Sequence, residues 1–149
     1  MKIVVDTNIV FSGILNSTSR IGKILISSKG HFQFYTCNFL RIELLKHRSK
    51  LLKLTKLSLE ELEELELLIT ENITFINEGL IPEKIIIATE SLLANNDLND
   101  TPFVALTKHL KAVLWTGDKE LMLGLKSKKF KDFVTTSQLS EILDDLERK

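Results

Sequence analysis

The chain opens Met1-Lys2-Ile3-Val4-Val5-Asp6-Thr7-Asn8, a short apolar, β-branched run that stops at a carboxylate, a hydroxyl and an amide. An unbroken run of this kind reads as a strand buried on both faces, the usual state in a parallel sheet. The carboxyl end of such a strand is where open α/β sheets place their ligands. Asp6 or Asn8 can equally turn the chain or cap a helix. The same grammar returns at Trp115-Thr116-Gly117-Asp118. Two strands ending in acids suggest a site rather than two unrelated turns.

Strands and helices alternate along the rest of the chain. Lys2 to Val5 reads as a strand, Ile9 to Leu15 and Arg20 to Ser28 as helices, and Asn16 to Ser19 as a polar interruption. Phe32 to Thr36 is an expected second strand, after which Asn38 can cap a helix running to about His47. Ser58 and Glu61 form a capping box ahead of an acidic, leucine-rich helix ending near Asn72. Ile73 to Ile76 reads as a short strand, and Pro82 suits the first turn of the next helix. Asn95 to Asn99 is an expected polar loop before a helix that starts at Asp100 or Thr101. Ala112 to Trp115 is the next strand, with Asp118 beginning the helix after it. Phe133 to Thr135 reads as a last strand, with Ser137 capping a terminal helix to Leu146. This alternation predicts a three-layer α/β/α sandwich around a mainly parallel sheet. No repeat or low-complexity linker is visible, so residues 1–149 are expected to form a single domain.

Composition narrows the function classes. The 149 residues are 44% hydrophobic and 27% charged, with a formal net charge of zero. No apolar run approaches the roughly 18 residues that span a bilayer, and Asp6 would interrupt a secretory leader. A cytoplasmic protein without membrane association is therefore expected. The lone Cys37 excludes an internal disulfide and a zinc site built on cysteines, and its apolar surroundings suit a small core residue. Charge neutrality argues against a broad nonspecific DNA coat, although metal-binding acids can mask positive charge elsewhere in the sum.

Four acids fall at element ends on one side of the expected sheet. Asp6 follows the first strand, and Glu43 lies about a turn into the helix after the second. Asp100 starts the helix before the fourth strand, and Asp118 follows that strand. Asp97 is a possible fifth. Clustered carboxylates raise one another's pKa unless a cation sits among them. Oxygen-only ligation, with no Cys set and no HExxH helix, points to Mg²⁺ or Mn²⁺. Asp6, Asp100 and Asp118 are the expected ligands, and Glu43 can be a further ligand or help deprotonate an attacking water. Thr7, Asn8 and Thr116 can orient those carboxylates or a phosphate oxygen. Each acid also has an ordinary reading: Asp100 and Asp118 are good helix caps, and Glu43 can be a surface acid beside Arg41 or Lys46.

These residues resemble the PIN (PilT N-terminus) domain family. The resemblance is carried by Asp6-Thr7-Asn8-Ile9-Val10, by Glu43, by the block from Asp97 to Leu106, and by Leu114-Trp115-Thr116-Gly117-Asp118, in the family's order. It implies that Asp6, Glu43, Asp100 and Asp118 are the acidic quartet of a ribonuclease using Mg²⁺ or Mn²⁺, with Asn8 and Thr116 in support. The chain is further similar to single-domain VapC-type toxins, which implies an RNA substrate, a small antitoxin partner and a homodimer. Related sequences often carry an Asp where this chain has Asn99, so one or two ions remain open.

Arg41, Lys46, Arg48, Lys50, Lys53 and Lys56, with His47, make the densest basic stretch; it can flank the acids or be a solvated helix end. Lys126, Lys128, Lys129 and Lys131 read as solvated surface. Trp115 reads as core, and His31, His47 and His109 have no metal-ligand spacing, so none is assigned a catalytic role. The acidic helix can face the core or line a dimer or antitoxin groove. A haloacid-dehalogenase-type phosphatase expects Asp where Asn8 stands, and no GxGxxG or Walker motif supports a nucleotide enzyme. The resulting expectation is a metal-dependent ribonuclease, with a catalytically weak RNA-binding or adaptor module as the alternative.

Overall fold

Val5 pairs with Trp115 across two parallel strands, so the residues that follow each, Asp6 and Thr116, leave the sheet side by side. That relationship comes from a computed structural model describing residues 1–28, 30–94 and 96–149. Its strands are β1 (Lys2–Val5), β2 (Gln33–Cys37), β3 (Ile73–Ile76), β4 (Val113–Trp115) and β5 (Phe133–Val134). They form one sheet in the order β3-β2-β1-β4-β5, and every pairing is parallel. The chain runs outward from β1 to β3 and then crosses to the other side of β1. The reversal of strand order between β1 and β4 is the switch point where an α/β sheet opens a crevice at its carboxyl edge.

The helices are α1 (Thr7–Leu15), α2 (Arg20–Ser27), α3 (Phe39–Lys46), α4 (Arg48–Thr55), α5 (Leu59–Thr70), α6 (Glu83–Leu92), α7 (Thr101–Leu110), α8 (Lys119–Ser127) and α9 (Thr136–Glu147). Helix α7 lies across β1, β2 and β4 with α6 beside it, while α1, α2 and α5 pack together in the other layer. The result is the expected α/β/α sandwich. Ile3, Val4 and Val5 are wholly buried between the layers, which is why β1 carries no alternation of polar residues. Leu114 and Trp115 of β4 are equally buried, and the Trp115 indole N–H donates to Thr136 Oγ1 at 3.0 Å. Trp115 is thus core with a satisfied polar atom. Cys37 is buried too, and desolvation pushes its thiol up to about 12, so it is an inert core residue.

The capping box at Ser58 and Glu61 is present, with both reciprocal hydrogen bonds formed. Two local expectations are corrected. Asn38 makes no capping bond, because its own backbone is already helical (φ −62°, ψ −22°) and its side chain cannot reach back over the first turn. The Phe39 N–H instead donates to Glu78 Oε2 at 3.1 Å. Ser137 does not cap α9: Thr135, two residues earlier, forms a capping box with Gln138. The basic stretch after Glu43 spans the end of α3 and the further helix α4, which is closed by Lys56 in the left-handed conformation, and Lys46 and Lys53 lie exposed in the last turns of α3 and α4. In the expected polar loop, Asn95 lies outside the described residues, and Leu98–Asp100 form a 3-10 turn whose start is capped by Asp97.

Candidate active site

Helix α1 begins immediately after β1 because Asp6 stays extended and accepts the Ile9 N–H at 3.0 Å through Oδ1. Asp118 does the same at the end of β4, where its Oδ1 takes the Leu121 N–H at 3.1 Å. Both acids are helix caps, so the ordinary reading of each is correct. Capping uses one carboxylate oxygen and fixes the group's direction while leaving the other oxygen for a ligand. The Thr116 hydroxyl, fully buried beneath, accepts the Asp118 N–H at 3.1 Å.

Asp6, Thr7, Asn8, Glu43, Asp97, Asn99 and Asp100 line one cavity of about 120 Å³, together with Phe11, His47 and Phe103. That is space for roughly four waters at their liquid volume, the scale of a partly hydrated divalent ion. Helix α3 delivers Glu43, whose Oε1 accepts a 2.6 Å hydrogen bond from Thr7 Oγ1. Asp97 is half-occupied by its own turn, accepting the Asn99 N–H at 2.9 Å. Asp118 and Thr116 stand beside the cavity rather than on its wall, yet the Asp118 charge is felt at both Asp6 and Asp100.

The electrostatics are those of an uncompensated acid cluster. Burial pushes Asp6 from an ordinary 3.8 up to about 6; the Ile9 N–H and Thr116 hydroxyl pull it back, and Asp118 adds repulsion. Asp100 goes further, to about 7, first by burial and then by repulsion from Asp118, Asp97, Asp6 and Glu43. Asp100 therefore senses all four other acids at once. Among the described residues, no three Asp, Glu, His or Cys side chains are already drawn together as a finished ligand set for an ion. The predominance of carboxylate and other oxygen donors, the surplus negative charge and the cavity size nonetheless suit a hard divalent cation better than a softer metal.

Among the described residues, no Lys or Arg lines this cavity. Arg41 lies over the Phe75 ring at 3.8 Å, and Arg48 pairs with Glu63 and Glu66 of α5 at 3.8 and 3.7 Å. His47, Phe11 and Phe103 reach the cavity although the sequence reading gave them no part in it. A helical signal was present for two of them: Phe11 is four residues from Thr7 in α1, and His47 four from Glu43 at the end of α3, the spacing that shares a helix face.

A model of the PIN domain family matches residues 4–143. No curated protein matches the chain. Among solved structures, the chain is similar to one in the crystal structure of VapBC2 from Rickettsia felis bound to a DNA fragment from their promoter. The TM-score is 0.65 at 15% identity, covering 91% of this chain and 97% of that one. At such low identity the likeness speaks for the fold, and the family match extends over nearly the whole chain. The chain belongs to the PIN domain family, whose members are typically nucleases.

Proposed function

We propose that residues 1–149 act as one PIN-like unit, a ribonuclease that hydrolyses RNA phosphodiester bonds with Mg²⁺ or Mn²⁺ held by Asp6, Glu43, Asp100 and Asp118. The observation that carries this reading is the convergence of Asp6, Glu43, Asp97 and Asp100, from three separate stretches of chain, on one small polar cavity, where burial first and then their repulsion, with that of nearby Asp118, raise Asp100 to about 7. Such repulsion costs stability and is relieved when a cation binds. When bound, the ion supplies a more acidic water and neutralises charge on the phosphate.

The chain's own residues do the rest. Asp6 and Asp118, each anchored through one oxygen to a helix N-terminus, present their second oxygen in a fixed direction. Thr7 holds Glu43 in one rotamer, aimed to accept a proton from the attacking water or to join the ligand set. Asn8 and Thr116 orient these groups, and Asp97 adds negative charge at the rim.

We further infer that this nuclease is the toxin of a toxin–antitoxin pair in the cytoplasm, acting as a homodimer silenced by a small antitoxin. The fold likeness to a VapBC2 chain supports this. So do apolar side chains left for a partner to cover, such as Leu45 and Leu67, 61% and 71% exposed. No described helix is long and apolar enough to cross a membrane. The test is cleavage of labelled single-stranded RNA with Mg²⁺ or Mn²⁺. The expected result is cleavage that EDTA abolishes; tight binding with no cleavage would indicate an adaptor module instead.

A further inference from the structure

Among the described residues, the ten side chains that line the acid cavity include four carboxylates and no lysine or arginine. A phosphodiester approaching this wall meets negative charge on most sides, and a bound cation can contact only the phosphate it activates. Some donor at the rim must hold the strand itself. His47 is the one lining side chain with a ring nitrogen to offer. It stands at the joint of α3 and α4, one helical turn beyond Glu43, and is half-buried. The Phe11 ring packs against it edge to face, with centroids 5.5 Å apart at 82°. That contact fixes the plane of the imidazole and consumes neither nitrogen. Among the described residues, no hydrogen bond satisfies either one.

An aromatic ring braced in one orientation, with an N–H unspent at the mouth of an anionic cavity, suits recognition of a phosphate oxygen. Neutral or charged, imidazole has an N–H to donate. We propose that His47 donates a hydrogen bond to a phosphate oxygen of single-stranded RNA at the rim of the cavity. This contact sets the register of the strand over Asp6, Glu43 and Asp100. The inference rests on the ribonuclease reading above and adds a substrate-binding residue to it. Of the basic residues around His47, Arg41 and Arg48 are engaged elsewhere, and neither Lys46 nor Lys50 is on the cavity wall.

The experiment compares His47→Ala, His47→Phe and His47→Gln in steady-state cleavage of a single-stranded RNA oligonucleotide with Mn²⁺, with Tm recorded for each. The expected result is a KM raised about ten-fold or more for Ala and Phe, the scale of a lost hydrogen bond to a charged group. kcat should stay within about two-fold, and Gln, which keeps an N–H, should remain near wild type. A Phe variant that matches wild type while Gln fails would show that only the ring matters and overturn the proposal; so would an unchanged KM in all three. As a check that needs no His47 variant, the His47 ring ¹⁵N resonances of Asp6→Asn protein should shift on adding the RNA, and no shift would also overturn it. If wild-type protein neither binds nor cuts RNA, the ribonuclease reading falls and takes this inference with it. If wild type cuts and the His47 variants keep its KM, this inference falls alone.

Discussion

The Thr7 hydroxyl donates a 2.6 Å hydrogen bond to Oε1 of Glu43, joining the first residue of α1 to the middle of α3 across 36 positions of sequence. Glu43 is partly exposed, and this bond is the contact that keeps its carboxylate over the cavity. A hydrogen bond to a charged acceptor contributes about 1.5–3 kcal/mol. Thr7→Val should therefore lower kcat by roughly 10- to 100-fold with KM little changed. Thr7→Ser keeps the hydroxyl and should recover most of the rate, as single-turnover cleavage of the two variants would report.

Raised acids make the metal-free protein sensitive to pH in a defined direction. Asp6 sits at about 6 and Asp100 at about 7, against an ordinary 3.8, so between pH 4 and 7 the native state binds more protons than the unfolded chain. Stability from these groups is complete below about pH 4, falls as pH rises through 6 and 7, and is lost above. Asp6 is buried, and a shift of this size corresponds to about 1–3 kcal/mol; the more exposed Asp100 adds less because solvent screens it. Asp6→Asn should then match wild type near pH 3 in EDTA and be more stable by about 1–3 kcal/mol at pH 8. Urea denaturation at the two pH values measures the difference.

Metal and protons compete for the same oxygens. Mn²⁺ or Mg²⁺ should raise Tm at pH 8, where Asp6 and Asp100 are ionised, and do so much less at pH 5.5, where both are mostly protonated. Saturation at about 100 times the dissociation constant stabilises by about 2.7 kcal/mol. Asp100→Asn should flatten this response, and thermal scans over a metal series would show it.

A fourth expectation concerns the layer behind the site. A Cβ on Gly22 of α2 would stand 2.2 Å from the Ser17 carbonyl oxygen, a backbone atom that cannot step aside cheaply. Gly22→Ala should cost about 1–3 kcal/mol, seen as a lower urea midpoint. The cavity acids lie elsewhere, so kcat at a permissive temperature should be retained.

Much of this was legible because buried parallel strands write themselves as apolar runs. The strands Lys2–Val5, Ile73–Ile76 and Val113–Trp115 match the apolar runs to within a residue, and the acids Asp6 and Asp118 after the first and last of these follow from topology. Local capping was less legible. Asn38 carries a good capping side chain, but its own backbone is already helical, so that side chain does not fold back onto the Leu40 or Arg41 N–H. Thr135 displaced Ser137 because only Thr135 has a reciprocal Gln three residues on. The helix α4 was hidden by charge: its lysines and arginines resemble a solvated tail, and what orders it is the burial of Leu51 and the pairing of Arg48 with α5. His47 was hidden for a related reason. Histidines were weighed against metal-ligand spacing, whereas its place at the cavity comes from lying one turn beyond Glu43.

The central claim is that the acids converging on one cavity hydrolyse RNA with a divalent cation. The most direct measurement is cleavage of labelled single-stranded RNA by wild type, Asp6→Asn and Asp118→Asn in Mn²⁺, with Tm recorded alongside. The account predicts wild-type cleavage that EDTA abolishes and a loss of at least about a hundred-fold in each variant, with both variants folded. Cleavage that survives EDTA, or that persists in both folded variants, would contradict it.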